Sequence, residues 1–338
     1  MSEAQHVWAL ILAAGDGSRL RALTTKPCGT PVPKQFCSLD GGRSLLEEAI
    51  QRAARLVPSE RICTIVAQQH RKWWIECRGL AHLPQTNLIV QPRNRGTGVG
   101  VLFSILHILA KDPEARIVML PSDHYVQDEL VLQQALETAL ARLEEDTTHP
   151  ILLGTEPDEL DTELGYVLPG VPDVSGSLRV ERFLEKPKTD LAAELIARGG
   201  LWNMFILAAH GAALLDLFLP HHSSIVVEMQ VILTRFLQHG APTGGWPAIV
   251  DLYTRLPSID FSRDVLEHKV DRLRVVRVPS CGWSDLGTPG RVGKTLQRLH
   301  VRRGTGDVTA ERESSEYLSL AAQQAQLERT RRLGVSRF

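Results

Sequence analysis

The feature that most constrains the fold is a strict alternation, through the first half of the chain, of short apolar runs with stretches of helical length. VWALIL from Val7, RICTIVA from Arg61, NLIVQ from Asn87, RIVMLP from Arg116 and ILLGT from Ile151 are apolar or rich in β-branched residues, and read as buried strands. Between them, LLEEAIQRAARLV from Leu45, VGVLFSILHILA from Val99 and LVLQQALETALARLEE from Leu130 have helical length and period. This order predicts an α/β fold built on a doubly wound, mostly parallel sheet with helices on both faces and ligands beyond the carboxyl ends of the strands. The second half keeps strands, GYVLPG from Gly165, LRVERFLEK from Leu178 and LRVVRVP from Leu273, but spaces them by longer mixed segments. We expect a substrate-selecting lobe inserted there, over about 156–300, beside a first half over about 1–155. From Arg302 the chain turns polar, and a helical tail that is solvated or meets a second subunit is expected over 301–338, compatible with a homodimer.

With 338 residues, 43% of them hydrophobic, there is ample material for a packed core. A formal charge of −1 provides no whole-protein field to gather nucleic acid or an anionic membrane, so any phosphate binding has to be local. The apolar run from Val7 to Ala14 has no basic leader, is too short to span a bilayer, and passes into a glycine turn. Neither export nor anchoring is expected, which points to the cytoplasm. Five cysteines, odd in number and without a CxxC pair, argue against a disulfide framework and a thiolate zinc site. His124 and the His221-His222 pair lack an i, i+4 zinc set and read as surface or satisfied polar groups.

The strongest chemical signal is LAAGDGSRLRALTTKP from Leu12, followed by PVPKQF from Pro31. A strand entering Gly15-Asp16-Gly17-Ser18 makes a turn whose backbone NH groups can face phosphate oxygens, and Arg19 and Lys34 add positive charge suited to a triphosphate. An ordinary β-to-α turn would account for Gly15 and Gly17 but not for Arg19 and Lys34. A dinucleotide fingerprint would need a third glycine where Leu20 stands. The run GTPGRVGKT from Gly287 has one residue too many between its glycines for a Walker A loop. Asp123, beyond the strand RIVMLP, reads either as a metal-holding carboxylate or, with Ser122, as a helix cap. Asp285 in GWSDLG leaves the same choice between ligand and turn residue.

These motifs together resemble the sugar-1-phosphate nucleotidyltransferases, most of all their mannose-1-phosphate guanylyltransferase branch. The match runs through Gly15, Gly17, Arg19, Leu20, Pro33, Lys34, Gln35 and Phe36. It continues in order with PRNRGTG from Pro92, LPSDHYV from Leu120, ELGYVLPG from Glu163, FLEKP from Phe183, WN at Trp202, PSIDF from Pro257 and GWSDLG from Gly282. The resemblance implies a Rossmann-like nucleotidyltransferase fold and transfer of a guanylyl group from GTP to a sugar 1-phosphate, foremost α-D-mannose 1-phosphate. The same chemistry with another nucleotide or sugar, or a non-catalytic nucleotide-sugar sensor, are the alternatives.

By the same resemblance, Ala13, Ala14, Gly15, Asp16, Gly17, Ser18 and Ser122 bind nucleotide, with Arg19 and Lys34 on the leaving pyrophosphate. Asn94, Arg95, Gly96 and Thr97 contact base and ribose. Asp123 and Asp285 share one Mg²⁺. Lys186 neutralises the sugar's phosphate, and Gly165, Tyr166, Glu185, Asn203 and Asp260 meet the sugar. Two departures stand out: the family's Trp-Asn-Ser-Gly run looks shortened, with Asn203 followed by Met204-Phe205, and a C-terminal cupin isomerase domain is not seen, which leads us to expect one activity.

Overall fold

The computed structural model describes residues 6–17, 20–25, 31–239 and 247–303. Ser18, Arg19, Cys28 and the tail beyond residue 303 lie outside them. The strands are β1 (Val7–Ala13), β2 (Ile62–Ala67), β3 (Leu88–Gln91), β4 (Arg116–Pro121), β5 (Ile151–Thr155), β6 (Gly165–Pro172), β7 (Leu178–Glu185), β8 (Leu201–His210) and β9 (Arg274–Val278). They form one sheet in the order β3-β2-β1-β4-β8-β5-β9-β7-β6, with β8 also meeting β6. The principal helices are α1 (Leu45–Ala54), α2 (Gly96–Leu109), α3 (Glu129–Glu145), α4 (Thr189–Ala197), α5 (Gly211–His239), α6 (Pro247–Arg255) and α7 (Pro289–Arg303).

Local chemistry accounts for the helix starts. Ser44 and Glu47 close a reciprocal capping box at α1, and the Asp128 carboxylate accepts the first free NH groups of α3. The long α5 bends at Pro220, where a proline lacks the NH that the helical ladder needs, and His222 leaves helical geometry. The period of two along each strand divides the core between the faces of the sheet. Trp8, Leu10, Ile117 and Met119 pack with Val101, Leu102 and Ile105 of α2 and Phe218 of α5. Ala9, Ile11, Val118 and Leu120 face the other way, onto Leu46 and Ile50 of α1 and Leu132 and Leu136 of α3. Helix α2 is buried all round from Gly98 to Ile108, as its uniformly apolar sequence requires.

The sheet departs from the sequence expectation in two respects. Parallel pairing is confined to β3-β2-β1-β4 and to β5-β9, and every other ladder is antiparallel, so the sheet is mixed rather than mostly parallel. The second half of the chain also does not sit over the sheet as an inserted lobe. Its strands extend the same sheet, because β8 pairs with both β4 and β5 and stitches the halves together. Strand β8, LWNMFILAAH, is the strand that local reading missed, and the helices α4 to α7 of the second half were not read from sequence either. Among the described residues no helix is long and apolar enough to cross a membrane.

Candidate functional site

From β1 the sheet order runs to β2 on one side and β4 on the other, leaving a crevice beyond their carboxyl ends where ligands of such sheets bind. A cleft of about 380 Å³ opens there, lined by residues that follow β1, β3, β4 and β7. The loop after β1 is held from beneath by Gln35, whose amide donates to the carbonyls of Ala13 (3.0 Å) and Gly15 (2.9 Å). Gly17 has a left-handed φ of 57°, and a Cβ there would lie 3.1 Å from the Lys34 Cβ and backbone nitrogen. Glycine is therefore needed at 17 for both dihedral and space. At Gly15 a Cβ would meet nothing within 4 Å.

Asp123 and Asp285, far apart in sequence, are brought together by backbone pairing. Tyr125 and Ser284 form an antiparallel bridge, each NH donating to the other's carbonyl at 2.9 Å. The Lys34 ammonium, almost wholly buried, sits between them, 2.8 Å from the Asp123 carboxylate and donating to the Asp285 carbonyl at 2.6 Å. Lys34 is thus tied to the aspartates. The Asp285 carboxylate faces Arg291 of α7, with contacts of 2.8 and 3.2 Å, and accepts from the Gly287 NH at 3.0 Å. Arg291 also bonds Asp161. Nothing local in the sequence marked Arg291 or Gln35 for these supporting parts.

Burial alone would raise the Asp123 carboxyl, but the Lys34 ammonium, with smaller help from His124, holds it below its ordinary range. His124 is pushed down to about 4, first by burial, so it is neutral near pH 7. Its Nδ1 accepts from the Trp283 indole at 3.2 Å, which matches the reading of His124 as a satisfied polar group while placing it in the cleft wall. The two carboxylates offer hard oxygen donors of the kind Mg²⁺ takes. Among the described residues no group of three or more His, Cys, Asp or Glu is set to hold a metal, so an ion here would complete its shell with phosphate and water. Asp123, Glu163, Glu185, Asp260 and Asp285 line the cleft with Lys186, and of these Asp123 is paired with Lys34 and Asp285 with Arg291.

At the β3 end, Asn94, Gly96 and Thr97 line the cleft. Arg95 is turned away from the role expected of it: its guanidinium donates to the carbonyls of Tyr253 (2.7 Å) and Thr254 (2.9 Å), tying the turn to α6. Asp16 is held by Gln69, His70 and Asn94. The PSIDF segment closes over the same turn. Ile259 donates to the Arg95 carbonyl (3.0 Å) and accepts from the Gly98 NH (2.8 Å), while the Phe261 NH donates to the Thr97 hydroxyl at 2.9 Å.

At the opposite end stand Gly165, Glu185, Lys186, Asn203 and Asp260. A Cβ on Gly165 would come within 2.7 Å of a Glu185 carboxylate oxygen, so this glycine serves close approach. The Tyr166 side chain does not line the cleft: its ring is fully buried and its hydroxyl donates to the Asp161 carbonyl at 2.9 Å. The run after Trp202 continues directly as β8. Strand β8 bulges between Asn203 and Leu207, and Phe205 takes a left-handed φ of 56°. Among the described residues the other non-glycine left-handed positions are Lys186 and Leu286, directly after Glu185 and Asp285. Each such position costs about 1–2 kcal/mol, and strain of this kind gathers at functional sites.

Burial, reinforced by Asp260 and opposed by Lys186, raises the Glu185 carboxyl from its usual 4.5 to about 7. The native state then holds a proton that the unfolded chain has released between those values, so stability should fall as pH rises from 4.5 through about 7. Urea unfolding at intervals from about pH 5 to about pH 8 should show this fall in the parent and a flatter profile in Glu185→Gln. Identical profiles would mean that Glu185 is not proton-linked to folding.

Comparisons with known proteins agree with this geometry. The family model described as Nucleotidyl transferase matches residues 8–294. The alginate biosynthesis protein AlgA of Pseudomonas aeruginosa is 28% identical over 305 residues, 89% of this chain and 60% of that protein. The mannose-1-phosphate guanylyltransferase RfbM of Salmonella typhimurium is 27% identical over 320 residues, 91% of this chain and 63% of the relative. The chain thus spans about three-fifths of the length of these curated relatives. A crystal structure from Thermus thermophilus, described as a mannose-1-phosphate geranyltransferase, is 31% identical with a TM-score of 0.70 over 86% of this chain and 79% of its own. A match over most of the length, with its motifs gathered around one cleft at the switch point of the sheet, means that the chain belongs to the nucleotidyl transferase family.

Proposed function

We propose that the protein transfers a guanylyl group from GTP to a sugar 1-phosphate, α-D-mannose 1-phosphate foremost, and releases pyrophosphate. The observation that carries this reading is the Tyr125–Ser284 bridge, which sets Asp123 and Asp285 about one ammonium, Lys34, beside the glycine loop after β1. The base follows the name of the Salmonella relative, and the sugar the names of that relative and of the Thermus structure.

In the reaction a phosphate oxygen of the sugar phosphate attacks the α-phosphorus, the bond to the β-phosphate breaks in line, and pyrophosphate leaves. No covalent enzyme intermediate is needed, so positioning and charge neutralisation are the protein's tasks. The loop from Gly15 to Gly17 presents backbone to the phosphates, and Gln35 keeps it in place. Asp123 and Asp285 would hold Mg²⁺, which when bound supplies Lewis-acid polarisation of the α-phosphate. Lys34 and Arg291 orient the two carboxylates. Glu185, Asn203 and Asp260 accept or donate to sugar hydroxyls, and Lys186 neutralises the sugar's phosphate. Arg19 is proposed to steady the pyrophosphate.

Pyrophosphate release over a grid of nucleoside triphosphates and sugar 1-phosphates tests this reading. GTP with mannose 1-phosphate should be the best pair. A preference for UTP or dTTP in kcat/KM would move the protein to another branch, and silence across the grid with tight nucleotide-sugar binding would make it a sensor. Lys186→Ala should lower kcat/KM for the sugar phosphate about tenfold or more, the worth of a charged hydrogen bond of about 1.5–3 kcal/mol, with GTP binding little changed. Equal damage to GTP binding would place Lys186 at the other end of the cleft.

A further inference from the structure

Phe205 occupies a position that a phenylalanine has no local reason to hold. Its φ of 56° is a conformation that glycine and asparagine adopt far more readily. The bulge in β8 accounts for the backbone: Leu152 pairs Leu207 and Gly154 pairs Asn203, which leaves the intervening residues of β8 without ladder partners on β5. The Phe205 NH is satisfied instead by the Asn203 side-chain oxygen at 3.1 Å. The result is a half-buried residue in the cleft wall, interrupting an otherwise buried strand, beside Asn203, which itself lies against Gly165. The ring meets Phe261 edge to face, with centroids 6.4 Å apart, and Phe261 directly follows Asp260. A strained, costly residue that sets an apolar ring beside Asn203, in a cleft whose other apolar lining includes Leu12, Ile65, Leu164 and Trp283, asks for a functional reason.

Resting on the sugar-phosphate reading of this end of the cleft, we infer that Phe205 is a specificity-determining residue whose ring selects neutral hexose 1-phosphates. The phenyl group packs on the C–H face of a pyranose. It offers no hydrogen-bond partner, so a charged substituent set against it loses water without compensation, and an N-acetyl group finds the space filled.

Phe205→Gly suits the left-handed backbone, which offsets part of the packing lost with the ring against Phe261, and urea unfolding of the variant checks that it folds. The test compares mannose, glucose, N-acetylglucosamine and glucuronic acid 1-phosphates as substrates, each with the parent's best nucleotide. In the parent, kcat/KM for the better neutral sugar should exceed that for the acetylated and acidic sugars by at least about tenfold, the scale expected of shape and polarity in a pocket. In Phe205→Gly that ratio should contract toward one, with the nucleotide KM within about twofold of the parent, and Phe205→Tyr should restore most of it. Unchanged ratios in Phe205→Gly, or a changed nucleotide KM with sugar ratios intact, would overturn the inference. If the parent turns over no pair, the function proposed above fails separately. Dissociation constants for the four corresponding nucleotide sugars then read the same ring: a discrimination that collapses in Phe205→Gly supports the inference, and one that persists ends it.

Discussion

Asp123→Asn and Asp285→Asn should each lower kcat by about a hundredfold or more while leaving the fold intact, because a shared ion at a reacting phosphate contributes several kcal/mol of transition-state stabilisation. The double variant should be scarcely worse than either single one, since members of one catalytic unit are not additive. The geometry sharpens this expectation. Tyr125 and Ser284 pair their backbones, and Lys34 reaches the side chain of one aspartate and the carbonyl of the other. The neighbouring contacts offer a rival account in which Asp285 serves only to anchor Arg291 and α7. That account predicts a loss of stability with kcat retained. Turnover as a function of Mg²⁺ concentration, alongside urea unfolding, separates the two. Full activity in Asp285→Asn, or Mg²⁺-independent turnover in the parent, would remove the shared ion.

Gly96→Ala should be the most damaging glycine substitution in the cleft. Its φ is 81°, and an added Cβ would lie 2.2 Å from the Ile259 carbonyl oxygen and 2.9 Å from its nitrogen. Those atoms are already engaged, the nitrogen donating to the Arg95 carbonyl and the oxygen accepting from Gly98, so the clash cannot be relieved by a flexible side chain. Left-handed strain and loss of this pairing together should cost about 2–4 kcal/mol. The loosened turn carries Asn94 and Thr97, so the nucleotide KM should rise as well. Gly15→Ala provides the contrast: a Cβ there meets nothing within 4 Å, and stability should change by less than about 0.5 kcal/mol. Equal stability of the two variants in denaturant would show that the Ile259 contact does not hold the turn.

Local sequence was a good guide wherever one segment contains its own cause. Short apolar runs set between stretches of helical length placed β1, β2, β4 and β5 nearly residue for residue. Position after a strand brought Asp123 to the crevice, and the glycines of the first loop marked its turn. Strand β8 escaped because a run of apolar residues carries no period to distinguish strand from helix, and at 10 residues it lacks the shortness that marked the other buried strands. Arg95 was assigned by its motif, but a guanidinium finds whichever carbonyls lie within reach, and those of Tyr253 and Thr254 come from a helix about 160 residues away in sequence.

By itself, then, the sequence determined the α/β character, the glycine turn after β1 and the chemical types gathered for the site, since backbone dihedral preferences and hydrophobic period act over a few residues. Only the tertiary structure decided that β8 joins the two halves into one mixed sheet, that Lys34 stands between Asp123 and Asp285, that Arg291 backs the second aspartate, and that a phenyl ring faces the cleft from a left-handed backbone. Each of these depends on pairing between segments remote in the chain, 251 residues apart for Lys34 and Asp285. Such pairings are chosen by how the whole sheet packs, and no local window of sequence contains them.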